Sequence, residues 1–209
     1  MAAKSRFFRH TILWAMIAPI LLLFVVPLVS GPQGYGPSQQ EISGAERIFG
    51  RETHARLMKE AERTFSGLFI ESGMVAWTMN AFTASGGAGF GFEGGYRSAS
   101  SRWIEGFWLS VWQGVYRARL ALTWFPAIAA AMAASFADGL AVRAIRRAGW
   151  GYNNPYAFHL ATHAVIALFG LSLALLFAPV SVHPVVFPVI ATLACIAAWQ
   201  AACNFQTGA

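Results

Sequence analysis

Charge is what this 209-residue chain has least of: 11% of its residues are Asp, Glu, Lys or Arg, against 56% hydrophobic. Soluble domains carry about 25% charged residues, so a water-exposed globule is excluded and an integral membrane protein is indicated. Cysteine is scarce too. The two present, Cys195 and Cys203, stand eight apart in one apolar run. They are too far apart along a helix to bridge each other, and buried or lipid-facing thiols are expected. Catalytic signatures are missing: H-E-x-x-H, G-x-S-x-G and the Walker A loop do not occur, and no span holds paired carboxylates. The expectation is a protein that is not an enzyme and holds no cofactor. Its net charge of +6 comes without a basic run interleaved with aromatics, so direct nucleic-acid binding is not expected.

What the chain has is long apolar runs. Residues 11–30, 120–137, 157–178 and 185–203 are each about 20 residues long, the length of helix that crosses a bilayer core of about 30 Å. The fold class expected is an all-α integral membrane protein of four transmembrane helices, with a helical extracytoplasmic segment between the first and second. The chain divides into a cytoplasmic tail and first span (1–30), an extracytoplasmic helical region with a Gly-rich loop (31–119), and three spans (120–209) with a cytoplasmic Arg-rich turn at 138–156. Lys4, Arg6 and Arg9 precede the first span, and Arg143, Arg146 and Arg147 sit between the second and third. Basic residues stay on the cytoplasmic side, so both termini are expected there and the protein in a bacterial inner membrane. The first run reads as an uncleaved signal anchor in which Pro19 and Pro27 kink or end the helix.

The region 31–119 holds nine basic and eight acidic residues. Residues 43–69 have apolar positions at helical spacing with charges between, which predicts one long amphipathic helix. On it His54, near Glu52 and Glu60, reads as part of a solvated face. Residues 69–83 are apolar but short, and Glu71 argues against lipid; an interfacial or partner-covered helix is expected. Residues 84–95 are Gly-rich. The letters G-x-G-x-x-G at 89–94 lack the strand and βαβ frame of a nucleotide site, so a hinge is the reading. In 98–119 a serine cluster suits an N-cap, and Trp103, Trp108 and Trp112 fall on one side of a helix expected to run straight into the second span. Those tryptophans fit a membrane-interface belt or internal core, and alternatively a docking surface for partner subunits.

The second span is rich in small residues that let helices approach closely, and Pro126 is a candidate kink. Asp138 stands five positions before Arg143, with pairing left open. His159 and His163 lie at i, i+4 on the third span, a spacing that can hold a metal or haem; a hydrogen-bonded interhelical histidine is the simpler reading. Residues 178–184, APVSVHP, predict a tight turn bounded by Pro179 and Pro184.

The order Asp138-Gly139, the arginines 143, 146 and 147, Tyr156-x-x-His159 entering an apolar helix, then Pro179, Ser181, His183 and Pro184 before the last span resembles the integrating-conjugative-element membrane protein family. The likeness is clearest over the last half of the chain. This chain departs from the family just after Tyr-x-x-His, where members carry basic residues and it has LATHAV. Proteins of that family are typically encoded beside the coupling ATPase of a conjugative DNA-transfer system. The resemblance implies a non-enzymatic accessory subunit of type IV secretion that binds or positions that ATPase, with oligomers and membrane lipid as further partners. Candidate contacts are Arg143, Arg146, Arg147, Tyr156, His159, Trp103, Trp108 and Trp112. For the arginines the competing reading is topology and lipid headgroups alone. A haem- or metal-binding membrane subunit or small carrier, using His159, His163 and His183, is a second reading; a lipid-interacting scaffold is a third.

Overall fold

The computed structural model describes residues 6–30, 32, 34–83, 93–152 and 154–205. Every regular element among them is helical: α1 (Arg6–Phe24), α2 (Val26–Ser30), α3 (Gln39–Phe49), α4 (Arg51–Phe65), a π-helical turn (Ser66–Ile70), α5 (Met74–Thr83), α6 (Glu93–Thr123), α7 (Phe125–Ala148), α8 (Pro155–Phe177) and α9 (Val186–Asn204). Among the described residues four stretches are long and apolar enough to cross a membrane: Thr11–Ser30, Phe125–Ala148, Pro155–Phe177 and Val186–Asn204. The Gly-rich hinge expected at 84–95 lies, up to residue 92, outside the described residues.

Local chemistry sets the helix ends. Ser38 caps α3 by accepting from the Glu41 N–H at 3.1 Å. The expected single helix over 43–69 is instead two helices and a π-helical turn. Gly50 separates α3 from α4 at φ +82, a conformation that costs other residues a Cβ clash. α5 has 10 residues, about 15 Å of helix, too short for a span. α6 begins before the serine cluster and stops at Thr123, so it does not run on unbroken: Trp124 interrupts it, and Pro126 opens α7. The expected turn at 138–156 shrinks to residues 149–154. The stretch ADGLAVRAIRRA is made mostly of strong helix formers, and its arginines favour the negative end of a helix dipole, so α7 continues to Ala148. Asn154 then caps α8, accepting from the Tyr156 and Ala157 N–H groups at 3.0 and 3.3 Å, with Pro155 in the first helical position.

The chain forms two compact units. One comprises residues 1–17, 123–173 and 185–209; the other, 18–122 and 174–184. In the first, α7 lies against α9 at close range. A Cβ added to Gly139 would stand 2.7 Å from Ala202 Cβ and 2.8 Å from the Trp199 carbonyl. Gly170 of α8 meets Ala15 of α1 in the same way, 2.6 Å from its Cβ. Small residues at such contacts let the helix backbones approach closely enough for dispersion to hold them together.

In the second unit α6 is central. Tyr116 and Leu120 pack with Ala45, Leu57 and Ala61 of α3 and α4. Ile104, Trp108 and Val111 form a neighbouring cluster with Phe65, Phe69, Val75 and Met79 around it. The packing at Gly139 predicts that Gly139→Leu lowers the stability of the purified protein by about 1–3 kcal/mol through overpacking. Gly67→Ala, which meets open space, serves as the control and leaves the thermal midpoint unchanged or raised.

Candidate functional site

The arginine end of α7 is built on α9. Asp138 accepts a hydrogen bond from the Trp199 indole N–H at 2.7 Å. Arg143 is half-buried and its guanidinium lies 5.0 Å from the Phe205 ring centre, a cation–π contact. Phe205 also meets Phe158 edge-on at 5.6 Å, and the Asn204 side chain accepts from the Asn154 N–H at 3.2 Å. Asp138, Gly139 and Arg143 therefore hold α7 to the end of α9. Arg146 is half-buried, while Arg147, Tyr156 and His159 are exposed. The structure thus brings Arg143, Arg146, Arg147, Tyr156 and His159 together in one unit, at the end of α7 and the start of α8.

Trp103, Trp108 and Trp112 lie in the other unit, inside its aromatic cluster. Trp108 is buried, donates to Thr78 Oγ1 at 2.9 Å and packs on Phe69. Trp103 donates to the Phe24 carbonyl at 2.9 Å and packs on Phe82 and Phe107. Trp112 packs on Phe65.

The second unit also holds a polar centre that has no counterpart in the sequence reading. Arg117 is fully buried and all five of its N–H groups are used. Nε and Nη2 form a two-pronged pair with the buried Glu41 carboxylate at 2.9 and 3.0 Å. Nη1 donates to the Leu175 and Ala178 carbonyls at 2.7 and 2.8 Å, and Nη2 also donates to the Val180 carbonyl. Leu175 and Ala178 present carbonyls at the C-terminal end of α8, where the helix leaves them unpaired and the dipole is negative. Gln113, one turn before Arg117, donates to the same Ala178 carbonyl at 3.0 Å and accepts from the Gly36 N–H at 2.9 Å. The 178–184 turn completes the arrangement. Ser181 and Ser38 share a hydrogen bond of 2.7 Å, Pro184 is buried, and His183 Nε2 would stand 2.9 Å from a Cβ at Gly44.

His54 does not lie on a solvated face. It is 5% exposed and shares a 3.0 Å hydrogen bond with the Tyr116 hydroxyl. The helix turn at Gly50 rotates the apolar stripe of α4 so that His54, Leu57 and Ala61 share one buried face. Burial pushes the Tyr116 hydroxyl up from its ordinary value, and the nearby Glu41 carboxylate adds to this.

For metal chemistry, His163 Nδ1 lies 3.4 Å from Thr11 Oγ1, and His159 is exposed beside Phe158. Among the described residues no three His, Cys, Asp or Glu side chains are grouped to hold a metal. Among the described residues, those lining a cleft of about 630 Å³, Leu28, Phe82, Arg102 and Trp103 among them, include none of those types.

Two outcomes follow for the polar centre. Glu41→Gln or Arg117→Met, each leaving one charge buried and unpaired, destabilises the protein by about 3–5 kcal/mol, and the double variant recovers part of that loss in thermal unfolding. Tyr116 holds its proton more tightly folded than unfolded, so its contribution is complete below the ordinary value of 10.0 and is lost as pH rises beyond it. The unfolding midpoint therefore falls above pH 10, and Tyr116→Phe flattens that fall while removing a hydrogen bond worth about 1 kcal/mol.

Neither the curated proteins nor the solved structures contain a match to this chain. A family model does match it, over residues 40–206. That span takes in the Glu41–Arg117 centre, the arginine end of α7 and the 178–184 turn alike. The chain belongs to the DtrJ-like family, described as IncC plasmid conjugative DNA transfer protein DtrJ-like, and so has a role in conjugative DNA transfer.

Proposed function

We propose that the chain is a non-enzymatic inner-membrane subunit of a conjugative, type IV secretion DNA-transfer system, and that it binds or positions the coupling ATPase through the arginine end of α7. The resemblance to proteins of integrating conjugative elements encoded beside that ATPase supports the partner. The observation that carries the reading is the outward-facing basic end between two candidate spans: Arg147, Tyr156 and His159 are exposed, with Arg146 half-buried among them. Arg143 plays a supporting part, since its stacking on Phe205 fixes the end of α9.

In this reading both termini and the 149–154 turn face the cytoplasm, and the helices from α3 to α6 lie across the membrane from them. The basic end is then on the side where an ATPase works. DNA is handled by the ATPase and not by this chain. Small-residue contacts such as those at Gly139 and Gly170 keep the spans together, and the apolar outer faces of α7 and α8, with Phe136, Leu160 and Phe169 exposed, meet lipid or partner spans.

Affinity purification of the tagged protein in gentle detergent tests this. The coupling ATPase is expected to co-elute in stoichiometric amount. Arg146→Gln with Arg147→Gln is expected to lower its recovery and the frequency of DNA transfer at least about tenfold, because removing each charged group from an interface costs about 1 kcal/mol or more, while membrane insertion and orientation stay normal. Scrambled orientation in that variant would assign the arginines to topology alone, and a wild-type preparation without the ATPase would remove the reading.

A further inference from the structure

The end of α7 is closed in an unusual way. The Gly151 N–H donates to the Arg146 carbonyl at 2.7 Å, and the Trp150 N–H to the Arg147 carbonyl at 3.3 Å. This pair of bonds is a Schellman cap, whose C′ residue adopts a left-handed conformation and is most often glycine. Here C′ is Trp150, at φ 58, the one non-glycine residue with positive φ among the described residues. Glycines stand on both sides of it, at 149 and 151. A large side chain in this conformation is strained. The indole gains nothing inside the fold in return, because Trp150 is 98% exposed. Strain kept at an exposed residue points to a role outside the fold's own packing.

Its surroundings have one chemical character. Tyr152 is 79% exposed and Tyr156 84% exposed, and Arg146 and Arg147 occupy the helix turn just before. Between residue 139 and the last residue, 209, the chain contains no Asp or Glu. This end of the protein is therefore rich in aromatic and cationic residues, and the nearest acidic residue before it in sequence, Asp138, accepts from the Trp199 indole. Trp, Tyr and Arg are the residue types that dominate binding energy at protein interfaces.

A lipid surface would also accept Trp, Tyr and Arg. It would not require the strain. An interfacial indole has only to reach headgroup depth, and any relaxed backbone conformation near the helix end allows that. A left-handed C′ residue fixes the direction in which the ring leaves the chain, which matters to a shaped pocket and not to a fluid surface.

We infer that Trp150, held in the left-handed cap of α7 and flanked by Arg146, Arg147 and Tyr152, is the anchor of a docking surface for an acidic cytoplasmic protein whose apolar pocket takes the indole. The inference rests on the proposed function, which makes that protein the coupling ATPase. Trp150 inserts as the buried centre of the contact, and the arginines meet carboxylates at its rim.

The test separates anchor from cap with Trp150→Gly and Trp150→Phe in the full-length protein. Glycine relieves the strain, so Trp150→Gly is expected to leave the thermal midpoint in detergent unchanged or raise it by about 2–4 °C. The same variant is expected to reduce ATPase recovery and transfer frequency at least tenfold, with Trp150→Phe keeping most of both. A Trp150→Gly protein that recovers the ATPase and supports transfer as the wild type does would overturn the inference while leaving the proposed function standing. A photo-crosslinking residue at position 150 reports independently of the ATPase: a crosslink to an acidic subunit of the transfer system supports the anchor, even if the coupling ATPase is absent from the wild-type preparation and the proposed function falls. A crosslink to lipid alone overturns it.

Discussion

One buried guanidinium organises the helical unit formed by residues 18–122 and 174–184. A charge taken out of water costs several kcal/mol unless it is paired and its donors are used. Arg117 is fully buried, and each of its N–H groups points at a partner that only a specific arrangement supplies: two at the Glu41 carboxylate, three at carbonyls of residues 175, 178 and 180. Satisfying it fixes α3, the middle of α6 and the end of α8 against one another. The apolar contacts of Tyr116 and Leu120 with Ala45 stand on two of these helices, and Leu57 and Ala61 add α4 to the same cluster. The 178–184 turn is fixed by the same demand, since Ala178 and Val180 present their carbonyls from it.

The other unit is held by close approach of small residues. Gly139 admits α9, and Asp138 beside it orients Trp199. Arg143, Phe205, Phe158, Asn154 and Asn204 then join the end of α7, the start of α8 and the end of α9. The motif residues of the C-terminal half thus divide by task. Asp138, Gly139 and Arg143 position the helix end; Ser181, His183 and Pro184 pack the turn against α3; Arg147, Tyr156 and His159 are left facing outward. Arg146 lies half-buried beside that last group.

The long apolar helices were legible because their signal is local: about 20 apolar residues in a row require no knowledge of what they pack against. Helix ends were less so. Apolarity stops near residue 137, but helix propensity does not, so α7 extends through its arginines to Ala148. The amphipathic stretch 43–69 was correct in period and missed its break, because a single Gly50 at positive φ re-aims the stripe and turns His54 inward. The Glu41–Arg117 pair joins residues 76 positions apart, and no periodicity connects them. The one local hint was Gln113 and Arg117 on successive turns of a tryptophan-rich helix. Trp150 is plain in the sequence as a letter between glycines, but its significance is a dihedral angle.

Everything proposed for this protein depends on which side of the membrane the arginine end faces. In a Cys195→Ala, Cys203→Ala background, single cysteines at two exposed positions, Ser43→Cys in α3 and Ala148→Cys at the end of α7, are reacted with a membrane-impermeant maleimide. The account predicts that Ser43→Cys is labelled from the outer side of the inner membrane in intact spheroplasts, and that Ala148→Cys is labelled only after lysis. Labelling of Ala148→Cys in intact spheroplasts would put the arginines and Trp150 out of reach of any cytoplasmic ATPase and would contradict it.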